Sequence, residues 1–165
     1  MSGAKVIEEV AGVQHGSRLA QALLARTDIM SLSQASYDAI IRPRDPGGVS
    51  YAERAALAAR MARQNADEAL AEHYMTRLRE ACADPKLSEP VASEEIDDYG
   101  KRLNALVRHM DLLTREPKKA SRTDITALKD AGLDEPDIVR LSELVAFVNY
   151  QVRVIAGLKK LRGIL

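Results

Sequence analysis

Chemistry has few starting points in this chain of 165 residues, which holds three histidines and a single cysteine, Cys82. One cysteine excludes an intrachain disulfide framework. No His-Glu-x-x-His motif or cysteine cluster supplies metal ligands, and the di-iron pattern Glu-x-x-His fails because Leu70 stands three residues before His73. No metal and no other cofactor is expected. Neither a Gly-rich phosphate loop nor a nucleophile elbow is present. What remains is imidazole and carboxylate chemistry. A neutral His73 beside a carboxylate such as Glu53 could act as a general base near pH 7, since an imidazole pKa of ~6.5 is easily moved across neutrality. Asn149 and Arg153, four residues apart on a helix, share a face just off an apolar stripe. An arginine there could bind a carboxylate or tie helices and subunits together through an ion pair, and the second reading is favoured.

The elements that would position these groups are helical. Runs rich in Ala, Leu, Arg and Glu lie between prolines at 43, 46, 85, 90, 117 and 136, and no alternating strand pattern occurs. Val6–Val13 reads as a short helix ended by Gly12 and Gly16. A second contains Leu19, Leu23 and Leu24, and a third Ile29, Leu32, Tyr37, Ile40 and Ile41. The turn Pro43-Arg-Asp-Pro-Gly-Gly48 follows. Ser50-Tyr-Ala-Glu53 is a capping box opening an alanine-dense helix from Tyr51 to about Gln64. Asn65-Ala-Asp-Glu68 repeats the pattern and predicts a new helix from Asn65 to about Cys82. Ser93 is expected to cap a helix whose stripe is Ile96, Tyr99, Leu103, Leu106 and Met110. Ser121 and Asp124 start a short helix ended by Gly132. Pro136 suits the first turn of a last helix, whose face is Ile138, Leu141, Val145, Val148, Val152 and Ile155. That helix, roughly 35 Å long at ~1.5 Å per residue, is expected to be the central packing element.

The class is therefore all-α, with residues 1–48 as an N-terminal helical arm packed on a main helical bundle of residues 49–165, in a single domain overall. Composition limits the partners. Lys plus Arg equals Asp plus Glu at 24 each, so the basic excess of a nucleic-acid binder is absent, and aromatic residues are only 4%. No stretch approaches the ~18 apolar residues of a membrane span. Glu8 and Glu9 stand where a signal peptide would need its apolar run, so a reducing cytoplasm is the expected compartment. Apolar surface left on the last helix predicts a homo-oligomer, from dimer to hexamer.

Four segments, in order, resemble one family. They are Leu112-Leu-Thr-Arg-Glu-Pro117, Asp124-Ile-Thr-Ala-Leu-Lys-Asp-Ala-Gly-Leu133, Asp137-Ile-Val139 and Phe147-Val-Asn-Tyr-Gln-Val-Arg153. Together they are similar to the C-terminal half of the peroxidase-related branch of the carboxymuconolactone decarboxylase and alkylhydroperoxidase D-like family. Upstream, Ser50-Tyr-Ala-Glu-Arg54 and Ala62-Arg-Gln-Asn65 with His73 resemble its active-site helix pair, so the likeness covers roughly residues 50 to 160. It implies an alkylhydroperoxidase D-like helical bundle. In redox-active members Cys-x-x-Cys-x-x-x-His opens the second helix, where the helix N-terminus lowers a thiol pKa and the histidine moves protons. Counting back from His73 puts those cysteines at Ala66 and Ala69. The family's thiol–disulfide route is thus absent.

If the second helix starts at Asn65, then Ala66, Ala69 and His73 share a face and leave room for a small polar or acidic molecule, with Glu53 at the family's proton-relay position. Asp67 and Glu68 occupy the first turn, as dipole and cap partners or, alternatively, with Asp67 beside the pocket as a base. Cys82 lies at the far helix end, where the dipole disfavours a thiolate, and reads as a packing residue. Three functions stay open. One is a degenerate, oligomeric binding or structural member of the family. The second is an enzyme using His73 in acid–base chemistry on a small organic acid. The third is a peroxidase-related antioxidant activity through Cys82 or a partner's thiols.

Overall fold

The chain turns back on itself wherever a side chain can replace the missing partners of a helix end. The structure, a computed structural model, describes residues 5–81, 85–92 and 99–164. Three helices make the N-terminal arm: α1 (Val6–Val10), α2 (Arg18–Leu24) and α3 (Thr27–Ile41). Then come α4 (Tyr51–Gln64), α5 (Glu68–Ala81), the short α6 (Glu89–Ala92), α7 (Lys101–Arg115), α8 (Arg122–Asp130) and α9 (Glu135–Arg162). Among the described residues there is no strand. The Ser50–Glu53 capping box forms in both directions, as does that of Ser121 and Asp124.

Helices α4 and α5 form an antiparallel hairpin, because a three-residue connection leaves no other path. Alanine makes the pairing close: Ala52, Ala55, Ala56, Ala58, Ala59 and Ala62 are all buried on α4. Helix α4 touches α3, α5, α6, α7 and α9, which explains burial on nearly every side. Helix α9 is the second centre, packing against α1, α2, α3, α4, α7 and α8. Its 28 residues span about 42 Å. An 18-residue window of it, with a mean hydropathy of 1.2, would by length and composition also suit a membrane span, contrary to the reading that no segment does. Yet 56% of that window is buried within the bundle, as a core helix requires.

Two sequence expectations need correction. The second helix of the pair starts at Glu68, not Asn65. Asn65 closes α4 by donating its Nδ2 to the Met61 carbonyl at 2.8 Å, and the capping acceptor is Asp67, which takes the Leu70 amide at 3.1 Å. Ala66 between them has φ +56°, in the left-handed region. Tyr99 lies outside α7, because Gly100, at φ +87°, turns the chain immediately before Lys101. Ser93 and Ile96, expected in the same helix, lie outside the described residues, as does Cys82.

Two arginines are buried to 2% exposure or less and act as cross-ties. Arg54 donates Nε to Val49 O, Nη1 to Ile40 O and Nη2 to Pro46 O, each at 2.9 Å, so one guanidinium holds the end of α3 and the following loop. Arg60 donates Nε and Nη2 to both oxygens of Asp111 on α7, at 2.9 and 2.7 Å, and Nη1 to Pro90 O on α6. The loop after α3 is pinned from the other side by Asp137, which accepts the Gly48 amide at 2.8 Å. Any side chain at Gly48 would overlap that carboxylate, so glycine is required there by close approach.

Candidate functional site

His73 sits in mid-α5, half-buried, with its ring against two tyrosines that also contact each other. Its Nε2 is 2.8 Å from the Tyr37 hydroxyl on α3, and the ring centroids are 5.6 Å apart. Tyr74 meets the imidazole edge-on at 5.4 Å, is itself fully buried, and donates its hydroxyl to Gln151 Oε1 on α9. Burial sets the electrostatics. It pushes His73 below its ordinary value, with Arg77, one turn along the helix, adding to the effect. It pushes the Tyr37 phenol up to about 12, against the smaller opposing influence of Arg77. Both partners are therefore neutral at pH 7. The pair is a hydrogen-bonded tie between α3 and α5: the phenol is no ready proton donor near neutrality, and the imidazole Nε2 is already engaged.

The other candidate residues do not converge on His73. Ala66 and Ala69 are exposed at the start of α5, and Ala66 precedes the helix, so the common helical face expected for positions 66, 69 and 73 does not form. Asp67 is buried and paired with Lys159 Nζ of α9 at 2.7 Å, which leaves it occupied as cap and ion-pair partner. Glu53, at the other end of the hairpin, accepts the Ser50 amide at 2.8 Å and Arg102 Nε at 3.0 Å. Asn149 is buried instead of flanking the stripe. Its Nδ2 donates to Val145 O at 3.0 Å and to Thr114 Oγ1 at 3.2 Å, linking α9 to α7. Arg153 is exposed one turn further on. Two residues on one helical face thus end in different surroundings, because α7 covers only the first. Among the described residues no group of three His, Cys, Asp or Glu side chains could hold a metal ion.

No protein-family model matches the chain, and no curated protein does. A solved structure does: an uncharacterized peroxidase-related protein from Silicibacter sp. TM1040, with a TM-score of 0.69. The two share a fold. The match covers 83% of this chain and 71% of the other, at 18% sequence identity. An identity that low speaks for the fold and not for the chemistry. The all-α, alkylhydroperoxidase D-like class expected from the C-terminal segments holds.

The residues that sequence reading missed are those around His73. Tyr37 registers in the sequence only as one apolar position of the third helix, and nothing there places it against residue 73. Arg77 had a signal, since a residue four after His73 must lie over it on a helix.

A second histidine shares the electrostatic condition of His73. His109 on α7 is 5% exposed, and both ring nitrogens are buried without a partner. Burial lowers its pKa, with Asp124 opposing more weakly. Both groups therefore take up a proton more readily unfolded than folded. Their stabilising contribution is complete above the unfolded value of about 6.5 and is lost as pH falls below it toward the lower folded values. Thermal melts should show the midpoint falling between pH 7.5 and pH 5. His109→Leu should flatten that decline, and an unaltered slope would show that His109 titrates as an ordinary histidine.

Proposed function

We propose that this protein is a peroxidase-related, alkylhydroperoxidase D-like member without thiol redox chemistry, serving as a homo-oligomeric binding or structural protein. One observation carries the reading. Positions 66 and 69, where the resemblance places the redox thiols, hold exposed alanines, and the groups that would relay protons to them are engaged elsewhere. His73 is held by Tyr37, and Glu53 by Ser50 and Arg102. The main alternative, His73 as acid–base catalyst on a small organic acid, asks for an imidazole titrating near neutrality with a carboxylate at hand. His73 instead has its Nε2 engaged by the Tyr37 hydroxyl and its pKa pushed down by burial, with no carboxylate in hydrogen-bond contact among the described residues.

The oligomeric part of the reading draws on an apolar groove of about 650 Å³ between α3 and α9. Ile29, Leu32, Phe147 and Tyr150 line it, and Leu32 is 63% exposed. Contiguous apolar surface of this kind is costly in a lone monomer. The test is one purified sample read in two ways. Light scattering should give a mass at least twice the 18.1 kDa of the chain. Peroxide consumption with a dithiol reductant should stay at the buffer rate. A monomer at micromolar concentration would remove the oligomeric part, and sustained turnover the redox part.

A further inference from the structure

A cleft of about 430 Å³ lies at the end of α5 remote from Ala66 and Ala69, lined by Ile41, Arg42, Tyr51, Arg77, Glu80 and Ala81. Arg42 is the C-cap residue of α3, and among the described residues its guanidinium has no hydrogen bond or ion pair. Arg77 gives Nη1 to Glu80 Oε2 at 2.9 Å, while its Nε is buried without an acceptor. Two guanidiniums against one carboxylate leave the lining with a positive excess. The walls between them are apolar: Ile41 is buried at the edge of the core, and the Tyr51 ring is fixed by its hydroxyl, which donates to Pro43 O at 2.7 Å. Arg77 lies one turn along α5 from His73, whose Nε2 pairs with the Tyr37 hydroxyl. A cation at the C-terminal end of a helix is favoured by the dipole, which accounts for Arg42 at the C-cap of α3. It does not account for a cleft between Arg42 and Arg77, or for an Arg42 guanidinium that pairs with no carboxylate among the described residues.

We propose that this cleft binds a small organic carboxylate with a compact apolar body. The carboxylate lies between Arg42 and Arg77, and the apolar part rests on Ile41, Tyr51 and Ala81. The planar fork of a guanidinium matches both oxygens of a carboxylate, and the volume is in the range of about 300–1,000 Å³ usual for small-molecule sites. The inference gives a ligand class to the binding half of the function proposed above and rests on that half alone.

Calorimetric titration of the full chain with benzoate tests it, with the His73 ring resonance, one turn from Arg77, as a local reporter. Benzoate should bind saturably in the millimolar range and shift that resonance, while benzamide, of like shape but uncharged, should do neither. Arg42→Gln should weaken benzoate by about tenfold, the loss of one charge-assisted contact. Glu80→Gln, which releases Arg77 from its partner, should tighten binding. Both residues are exposed, so both variants keep the fold. Equal binding of benzamide, unchanged affinity in Arg42→Gln, or inorganic phosphate binding as tightly as benzoate would each overturn the proposal. Peroxide turnover is blind to this titration, so failure of one reading leaves the other intact.

Discussion

Replacing Arg54 by alanine is expected to destabilise the protein by about 3–5 kcal/mol, the largest effect of any single substitution considered. The guanidinium is 2% exposed and satisfies three backbone carbonyls that face inward from the end of α3 and the loop after it. Alanine removes all three donors and opens a void of side-chain size, so the acceptors lose their partners in surroundings that water reaches poorly. Lysine is no substitute, because one ammonium on a flexible stem cannot span three acceptors that a planar fork reaches together. Burial also lowers the Arg54 pKa, with Arg140 nearby adding to the effect, yet the group stays charged at every pH where the fold exists. Urea denaturation of the wild type and of Arg54→Ala and Arg54→Lys measures the cost. A loss below about 1 kcal/mol for the alanine variant would mean that the loop relaxes and finds solvent for its carbonyls.

Asp111→Ala should cost nearly as much, for a different reason. The carboxylate takes two hydrogen bonds from Arg60 and a third from Gln64, and it is only 15% exposed. Removing it takes from a guanidinium that is 2% exposed the carboxylate that accepts two of its hydrogen bonds, and breaking a buried pair on one side typically costs about 3–5 kcal/mol. Removing both charges is a milder change. The double variant Arg60→Met with Asp111→Leu should recover most of the loss, since the desolvation cost of both ions disappears with them. A double-mutant cycle by urea denaturation reads the coupling. Additive single and double losses would show that Asp111 is not the partner that chiefly holds Arg60, which also donates to Pro90 O on α6.

The sequence carried the fold well where the helix signals were local. Ser50 with Glu53, Ser121 with Asp124, Gly132 and Pro136 each mark a helix end by chemistry confined to four residues, and each stands where that chemistry required. The start of α5 misled because Asn65 and Asp67 are both good capping residues two positions apart. Only the fate of the Asn65 amide, turned back onto Met61, decides between them. Moving the helix start from Asn65 to Glu68 takes Ala66 off the helical face that Ala69 and His73 were expected to share with it. Residues near His73 were illegible for another reason. Tyr37 is thirty-six positions away, and long-range packing of α3 on α5 leaves no periodic trace. Asn149 and Arg153 show the same limit: spacing puts them on one face, but only tertiary packing says where that face goes from covered to open.

The turn joining α4 to α5 decides what cysteines at positions 66 and 69 could do. Introduced there, they would not make a reactive pair. The first would inherit a left-handed backbone that a side chain beyond glycine or asparagine tolerates poorly. The second would enter a helix start whose partial positive charge is already matched by the Asp67 carboxylate, itself tied to Lys159. An incoming thiolate would meet an anion in place of an attractive pole. Two codon changes would therefore give two ordinary thiols, because reactivity at this hairpin is limited by its geometry before its side chains.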